Sequence, residues 1–348
     1  MSVSIKDIAR LAGVSHSTVS RALSDSPLIR AETKSRIRRL AREMCYSPDA
    51  RARSLVMGRT QTVGVVVTTV ADPWVAEVVQ GIETTASAHS YTVILASSDD
   101  EPEHELAAVE MLRSMRVDSV IVTSSRIGAL YGEYLGRSHV PVVLLNNHSE
   151  QGGAHSFSVR VDDRHGGCLA TEHLITIGHR RIAHVGGPSA HLPSLERLAG
   201  YRLALAGAGI AFDPAVVWDG TSLPDAGERA LNLLLAADPR PTAIFCYNDM
   251  TAVGLLRAAH DAGLALPGDL AVVGFDDIPF AALACPALTT VAQPKFAMGQ
   301  QAMDMALTLM CRRPHECDGA GAPQVTGVTD NVVQGRLVVR ESSGTRRR

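Results

Sequence analysis

SIKDIARLAGVSHSTVSRAL, residues Ser4–Leu23, reads as two short helices separated by a tight turn. Ile5, Ile8, Ala9, Leu11 and Ala12 put apolar groups at helical spacing on one face. Ser4 stands at an N-cap position, with Asp7 three residues on as its capping-box partner. Gly13 suits a left-handed helix end, after which Val14 turns inward and Ser15 caps a second helix with Thr18 at its third position. Val19, Ala22 and Leu23 then face the first helix, and His16, Ser17, Thr18, Ser20 and Arg21 point outward. Such a hairpin projects a short polar helix of the size that a DNA major groove admits. An ordinary helical hairpin with a solvated polar face has the same pattern, so the flanking residues carry weight.

A third helix follows over Glu32–Met44, with Ile37, Leu40, Ala41 and Met44 on its apolar face and Lys34, Arg36, Arg38, Arg39 and Arg42 around the rest. Next comes YSPDARARSL, Tyr46–Leu55. Pro48 fits a first helical turn with Ser47 as cap, and Gly58 leaves room for only about two turns. A helix that short is unstable alone in water. Ala52 and Leu55 have little to pack on, and Arg51 and Arg53 flank them. That composition suits a segment that folds on DNA and wedges Leu55 between base steps in the minor groove; the alternative is a plain linker.

Charge divides along the same line. Residues 1–60 hold 12 Lys and Arg against 5 Asp and Glu, or +7, so a net charge of −3 leaves −10 on the remainder. A basic head on an acidic body suits a head that meets phosphates and a body that does not. Hydrophobic residues make up 46% and aromatics 4%, so the cores are aliphatic. Cys45, Cys168, Cys246, Cys285, Cys311 and Cys317 contain no CxxC pair, which argues against a zinc site and a disulfide framework. No signal region and no long apolar run is read, so the expectation is a cytoplasmic protein that does not meet the membrane.

From Gln61 the pattern alternates. Strands are expected at Thr62–Thr68, Thr92–Ser97, Ser119–Thr123, Val140–Leu145, Ser158–Val161, Ile182–Gly186, Ala243–Cys246 and Ala271–Phe275. Helices are expected at Trp74–Ser87, Glu103–Met115, about Ala129–Arg137, His165–Ile177, Ser194–Ala208, Ala226–Ala236 and Met250–Ala262. This rhythm implies parallel sheets covered by helices, and the length implies two lobes. Open parallel sheets bind ligands outside the carboxyl ends of their strands. There the chain places Asp72, Trp74, Ser97, Ser124, Asn146, Asn248 and Asp276. Short carboxylates, amides and hydroxyls in such a ring suit a ligand with many hydroxyls, and Trp74 offers an apolar plate. Each residue also fits a turn or cap, so the set argues more than any member. Neither a phosphate-cradling glycine loop nor a GxSxG nucleophile is present, and the histidines lack metal spacing. Asp276 and Asp277 are adjacent on an extended chain and point to opposite sides, which weakens a catalytic carboxylate pair. These patterns argue against an enzyme and call for no cofactor or metal.

The chain resembles transcription repressors of the lactose/galactose repressor (LacI/GalR) family along essentially its whole length. The matching pieces are IKDIARLAGVSHSTVSRAL, SPDARARSL, Asp72-Pro73, GHRRIAHVGGP, RLAGY at Arg197–Tyr201, PTAIFCYNDMTAVG, DLAVVGFDD, LTTVAQP and VVRESS. The resemblance implies an all-α helix-turn-helix DNA-binding head (residues 1–46), a hinge helix and linker (47–61), and an α/β two-lobed, doubly wound periplasmic-binding-protein-like effector domain (62–341), with a tail at 342–348. It places lobe 1 at about 62–161 and 293–323, and lobe 2 at about 162–292 and 324–341. It implies a homodimer on a palindromic operator. His16, Ser17 and Arg21 would read bases, Ser4, Thr18 and Ser20 would contact phosphate, and Ala52 and Leu55 would enter the minor groove. It implies effector contacts at Asp72, Ser124, Asn146, Arg197, Asn248, Asp276 and Gln293, beside Trp74, with Arg197 and Asp276 gripping one ligand as opposed donor and acceptor. The expected function is repression of a carbohydrate-utilisation operon relieved by a sugar-like inducer. The alternatives are a corepressor-dependent regulator that binds a purine or nucleoside, and a cytoplasmic solute-binding protein of the same fold.

Overall fold

In a computed structural model, which describes residues 3–46, 58–125, 127, 140–146, 157–189, 191–311 and 329–344, the chain divides into two units, residues 1–61 and 62–348. The expected helix at Ala129–Arg137 and the hinge residues 47–57 lie outside the described residues.

The first unit holds α1 (Ile5–Ala12), α2 (His16–Leu23) and α3 (Ala31–Glu43). Ile8, Val19, Ala22 and Ile37 are fully buried and form its core with Ala9, Ala12 and Ala41. Leu11 departs from expectation: it is 60% exposed. The seam of α1 runs through Ile5, Ile8, Ala9 and Ala12, and Leu11 lies about 110° round the helix from its centre. The Asp7 carboxylate accepts from the backbone N (3.0 Å) and Oγ (2.7 Å) of Ser4, which holds its pKa below the usual carboxylate value. Gly13 is left-handed at φ 64°, and the amide of Val14 donates to the Ala9 carbonyl at 3.1 Å. Ser15 Oγ accepts from the Thr18 amide at 3.1 Å, as a cap should.

The C-terminal end of α3 repeats the geometry of Gly13 with a side chain in the way. Cys45 adopts φ 51°, and the Tyr46 amide donates to the Ala41 carbonyl at 2.8 Å. The left-handed region costs an L-residue roughly 1–2 kcal/mol, and glycine gives back part of that through its looser unfolded chain.

The second unit contains two parallel sheets. The first is built from β1 (Thr62–Val67), β2 (Thr92–Ser97), β3 (Ser119–Thr123), β4 (Val142–Leu145), β5 (Phe157–Val161) and a late strand, β11 (Thr329–Val333), in the order β11-β5-β4-β3-β1-β2. The second is built from β6 (Ile182–Val185), β7 (Val217–Trp218), β8 (Ala243–Cys246), β9 (Ala271–Asp276), β10 (Thr289–Ala292) and β12 (Arg336–Val338), in the order β12-β10-β9-β8-β6-β7, with β12 antiparallel to β10. Successive residues of a strand join opposite cores. Val65, Ile121 and Val143 enter one cluster, while Val66, Val120, Val122 and Val142 enter another. In the second sheet Phe245 and Val273 face one way, and Ile244 and Val272 the other. Sheets buried on both faces need such continuous apolar runs, which is why the strands read so clearly.

The helices of the second unit are α4 (Pro73–Ala88), α5 (Pro102–Ser114), α6 (Asp163–Thr176), α7 (Leu192–Gly207), α8 (Pro224–Ala236), α9 (Asp249–Asp261), α10 (Pro279–Leu283) and α11 (Lys295–Cys311). The chain passes between lobes after Val161, after Ala292 and at Gln334–Gly335. The third passage corrects the expected lobe boundary at 323/324: residues 329–333 form β11, which pairs with β5 and therefore belongs to lobe 1.

His184 is fully buried between the rings of Tyr201 and Phe245, with Nδ1 3.0 Å from the Phe245 carbonyl. Burial lowers its pKa to about 4. As pH falls the unfolded chain takes up the extra proton first, so this group's stability is present above pH 6.5 and is lost as pH drops toward 4. Across that window the loss is about 3 kcal/mol. Chemical denaturation of wild type and His184→Gln at about pH 7.5 and about pH 4 should therefore show their stability gap narrowing by roughly that amount at the lower pH. For the head, Cys45→Gly should raise stability by about 0.5–1 kcal/mol, read from the thermal unfolding of that unit.

Candidate functional site

In the first unit, His16, Ser17, Ser20 and Arg21 are exposed on α2, and Thr18 is half-buried against the cap. Val19 and Ala22 occupy the other face, so packing fixes which side chains α2 presents. Ser17 Oγ lies 2.8 Å from Ser15 Oγ. Ser4 is exposed at the start of α1. Arg36 Nη2 donates to the Ala12 carbonyl at 2.9 Å and ties α3 to the turn before α2. Ala52 and Leu55 lie outside the described residues.

In the second unit, the expected effector residues stand at or after the carboxyl ends of the strands, except Arg197, which lies within α7. Asp72 caps α4 through Oδ1, which accepts from the Trp74 amide at 2.9 Å. Trp74 is 5% exposed, and its Nε1 donates to Gln293 Oε1 at 3.1 Å. Gln293 Nε2 donates to Asp276 Oδ1 at 2.6 Å. Arg197 Nη1 stands 3.8 Å from that same oxygen. A chain of contacts thus runs from lobe 1 at Trp74, through the crossover at Gln293, into lobe 2.

Arg197 is 2% exposed. Its Nε donates to Asp163 Oδ1 at 2.8 Å and its Nη1 to the Tyr247 carbonyl at 2.6 Å. The guanidinium lies 3.6 Å from the centre of the Phe275 ring and 4.6 Å from that of Tyr247. Burial works against its charge, but the Asp163 and Asp276 carboxylates outweigh that and leave its pKa raised. Burial pushes the Asp276 carboxyl well above the usual range despite Arg197, and pushes Asp163 up as well. Asp72 is raised by burial, partly offset by the amide of Trp74 and by Lys295. The opposed grip expected of Arg197 and Asp276 is therefore a partnership already made, with Nη2 the guanidinium nitrogen that these bonds leave unused.

Three of the expected contacts have strained backbones: Ser124 at φ 48°, Asn146 at φ 59° and Asp276 at φ 114°. Each is held by its neighbours. The Ser124 amide donates to the Leu145 carbonyl at 2.7 Å, and the Asn146 amide to the Val159 carbonyl at 2.8 Å. Strain of this kind, over-determined by its surroundings, clusters at ligand sites. Asn146 Oδ1 is buried without a hydrogen-bond partner among the described residues. Asn248 serves a structural end, because Oδ1 caps α9 at the Thr251 amide (2.9 Å) and Nδ2 donates to the Ser222 carbonyl (2.9 Å).

Two residues here, Asp163 and Lys295, carried no signal of their own in the sequence. Asp163 follows Asp162 after β5 and turns inward to Arg197, while Asp162 caps α6. Lys295, two residues beyond Gln293, donates to the Asp276 and Asp277 carbonyls at 2.6 and 2.8 Å. Ser194 Oγ accepts from the Gly187 amide at 3.0 Å. Asp277 points away from Asp276 and accepts from Arg340 at 2.7 Å, as adjacent residues on an extended chain should. No group of His, Cys, Asp and Glu suited to a metal is found among the described residues, and no described helix is long and apolar enough to cross a membrane.

Residues 4–49 match the bacterial regulatory proteins of the lacI family, and residues 171–343 match the periplasmic binding protein-like domain. The HTH-type transcriptional repressor PurR of Vibrio campbellii is 35% identical over 313 residues, covering 90% of this chain and 93% of the relative. The PurR of Haemophilus influenzae is 33% identical over 343 residues, covering 97% and 98%. Among solved structures, the Lac repressor dimer bound to operator and the anti-inducer ONPF superposes with a TM-score of 0.85 at 26% identity, over 99% of this chain and 100% of that one. The transcriptional regulator CelR in complex with cellobiose gives a TM-score of 0.72 at 31% identity, over 98% and 99%.

Removing one member of a buried, hydrogen-bonded ion pair strands the other. Asp163→Asn should therefore lower the stability of the second unit by about 3 kcal/mol, measured by urea unfolding.

Proposed function

The chain belongs to the lacI family of bacterial regulatory proteins, and from that premise we propose how it works as a DNA-binding transcriptional repressor. It is a regulator and not an enzyme. In the proposed reading a homodimer binds a palindromic operator in the cytoplasm. His16, Ser17 and Arg21 read base edges, Arg21 pairing naturally with guanine, and Ser4, Thr18 and Ser20 contact phosphate. Ala52 and Leu55 enter the minor groove between the two heads.

A sugar-like inducer takes its contacts from Asp72, Trp74, Ser124, Asn146, Arg197, Asn248, Asp276 and Gln293. The observation that carries this reading is the contact chain Trp74–Gln293–Asp276–Arg197, which joins an indole edge, an amide, a carboxylate and a guanidinium across the lobes. A polyol can replace the contacts that these groups make with one another, hydroxyl by hydroxyl. The cellobiose complex of a relative supports the same ligand class. Binding shifts the population of lobe arrangements only as far as the ligand prefers one of them.

Fluorescence anisotropy on palindromic DNA from upstream of the gene, at one salt concentration, tests this against a panel of monosaccharides, disaccharides and nucleosides. Release by one sugar is the expected result, and Asp276→Asn should raise the concentration needed at least about tenfold. Release by a nucleoside alone, or DNA binding that requires a compound, would replace the sugar-inducer reading. Leu55→Gly should weaken operator binding; unchanged affinity would remove the minor-groove wedge.

A further inference from the structure

Lys295 begins α11, a helix of lobe 1, yet its ammonium group is spent mostly on lobe 2. The residue is 3% exposed. Nζ donates to the carbonyls of Asp276 (2.6 Å) and Asp277 (2.8 Å), and lies 3.4 Å from Glu77 Oε1 on α4. Two hydrogen bonds thus go to one lobe and an ion pair to the other.

The two ends of this contact differ in rigidity. On the lobe 1 side, α4 and α11 pack backbone to backbone: a Cβ at Gly81 would come within 2.1 Å of the Phe296 carbonyl oxygen, and one at Gly299 within 2.1 Å of that of Val78. Glu77 and Lys295 therefore ride on one closely packed pair. On the lobe 2 side, Asp276 and Asp277 hold φ values of 114° and 54°, a strained turn that its surroundings must hold. Asp249 Oδ2 accepts from the Ile278 amide at 2.9 Å, and Arg340 donates to Asp277 at 2.7 Å. Those two bonds come from within lobe 2; Lys295 supplies bonds that come from lobe 1.

We propose that Lys295, braced by Glu77, is a positioning residue that ties the Asp276–Asp277 turn of lobe 2 to the α4–α11 pair of lobe 1 and so sets the arrangement of the lobes. Its consequence for induction rests on the reading of Asp276 as an effector contact, while the tie itself does not. Asp276 is held twice from beyond β10, by its side chain through Gln293 at the crossover and by its backbone through Lys295 at the start of α11. A ligand that takes the carboxylate from Gln293 leaves the backbone hold in place, so movement of the turn is passed to α11.

Single-molecule energy transfer measures the tie without any ligand. Dyes are placed at Thr84→Cys on α4 and Asn232→Cys on α8, both exposed, in a background where the native cysteines are changed to Ser, and labelled protomers are mixed with excess unlabelled protein. Lys295→Met should shift or broaden the interlobe distance distribution and change ligand-free operator affinity by about fivefold or more. Glu77→Gln, a milder change at a half-buried site, should move both readouts in the same direction by less and keeps the test decisive if the first variant does not fold. Wild-type distances and operator affinity in these variants, even with a lowered melting temperature, would overturn the proposal. Because no compound is added, failure here is separate from failure of Asp276→Asn in the inducer titration.

Discussion

Arg197 carries a positive charge into a place that water barely reaches, and its neighbours are arranged around that constraint. A buried guanidinium must be paired and hydrogen-bonded, because burial penalises a lone charge heavily. Asp163 and the Tyr247 carbonyl accept its hydrogen bonds, and the Phe275 and Tyr247 rings lie against it. Asp276 completes the set from the end of β9. Three carboxylates, Asp72, Asp163 and Asp276, are pushed upward by burial around one guanidinium and one ammonium. The site is a store of desolvated polar groups whose present partners are each other.

This arrangement explains why the site lies where it does. Parallel sheets leave their carboxyl ends open, and the crossovers bring the ends of both sheets together. Residues at strand ends can turn into positive-φ conformations without breaking a ladder, as Ser124, Asn146 and Asp276 do. Their strain is held by bonds from adjacent strands and, at Asp276, from the other lobe. A ligand that rearranges Asp276 therefore acts on contacts that already span both lobes.

The head works by a simpler division. Ile8, Val19, Ala22 and Ile37 bury completely, and that burial orients the polar face of α2. Its short helices depend on caps at Ser4 (with Asp7), Gly13 and Ser15, and on this small aliphatic core, rather than on helix propensity.

Local patterns in the sequence determined a great deal. Helical spacing with its caps marked α1, α2 and α3, and continuous apolar runs marked most strands of both sheets, because sheets covered on both faces demand them. Residues after those strands named most of the candidate site. Tertiary structure decided the pairings. Leu11 fits the apolar pattern and still faces outward, since three short helices bury only one seam of α1. The third crossover falls at Gln334–Gly335 because β11 pairs with β5, Thr329 lying opposite Phe157, and no local signal encodes a register between segments so far apart in the chain. Asp163 and Lys295 look like ordinary surface charges in the chain. They become site residues only when folding removes water from around them, because a buried charge takes its role from the groups that the fold brings to it.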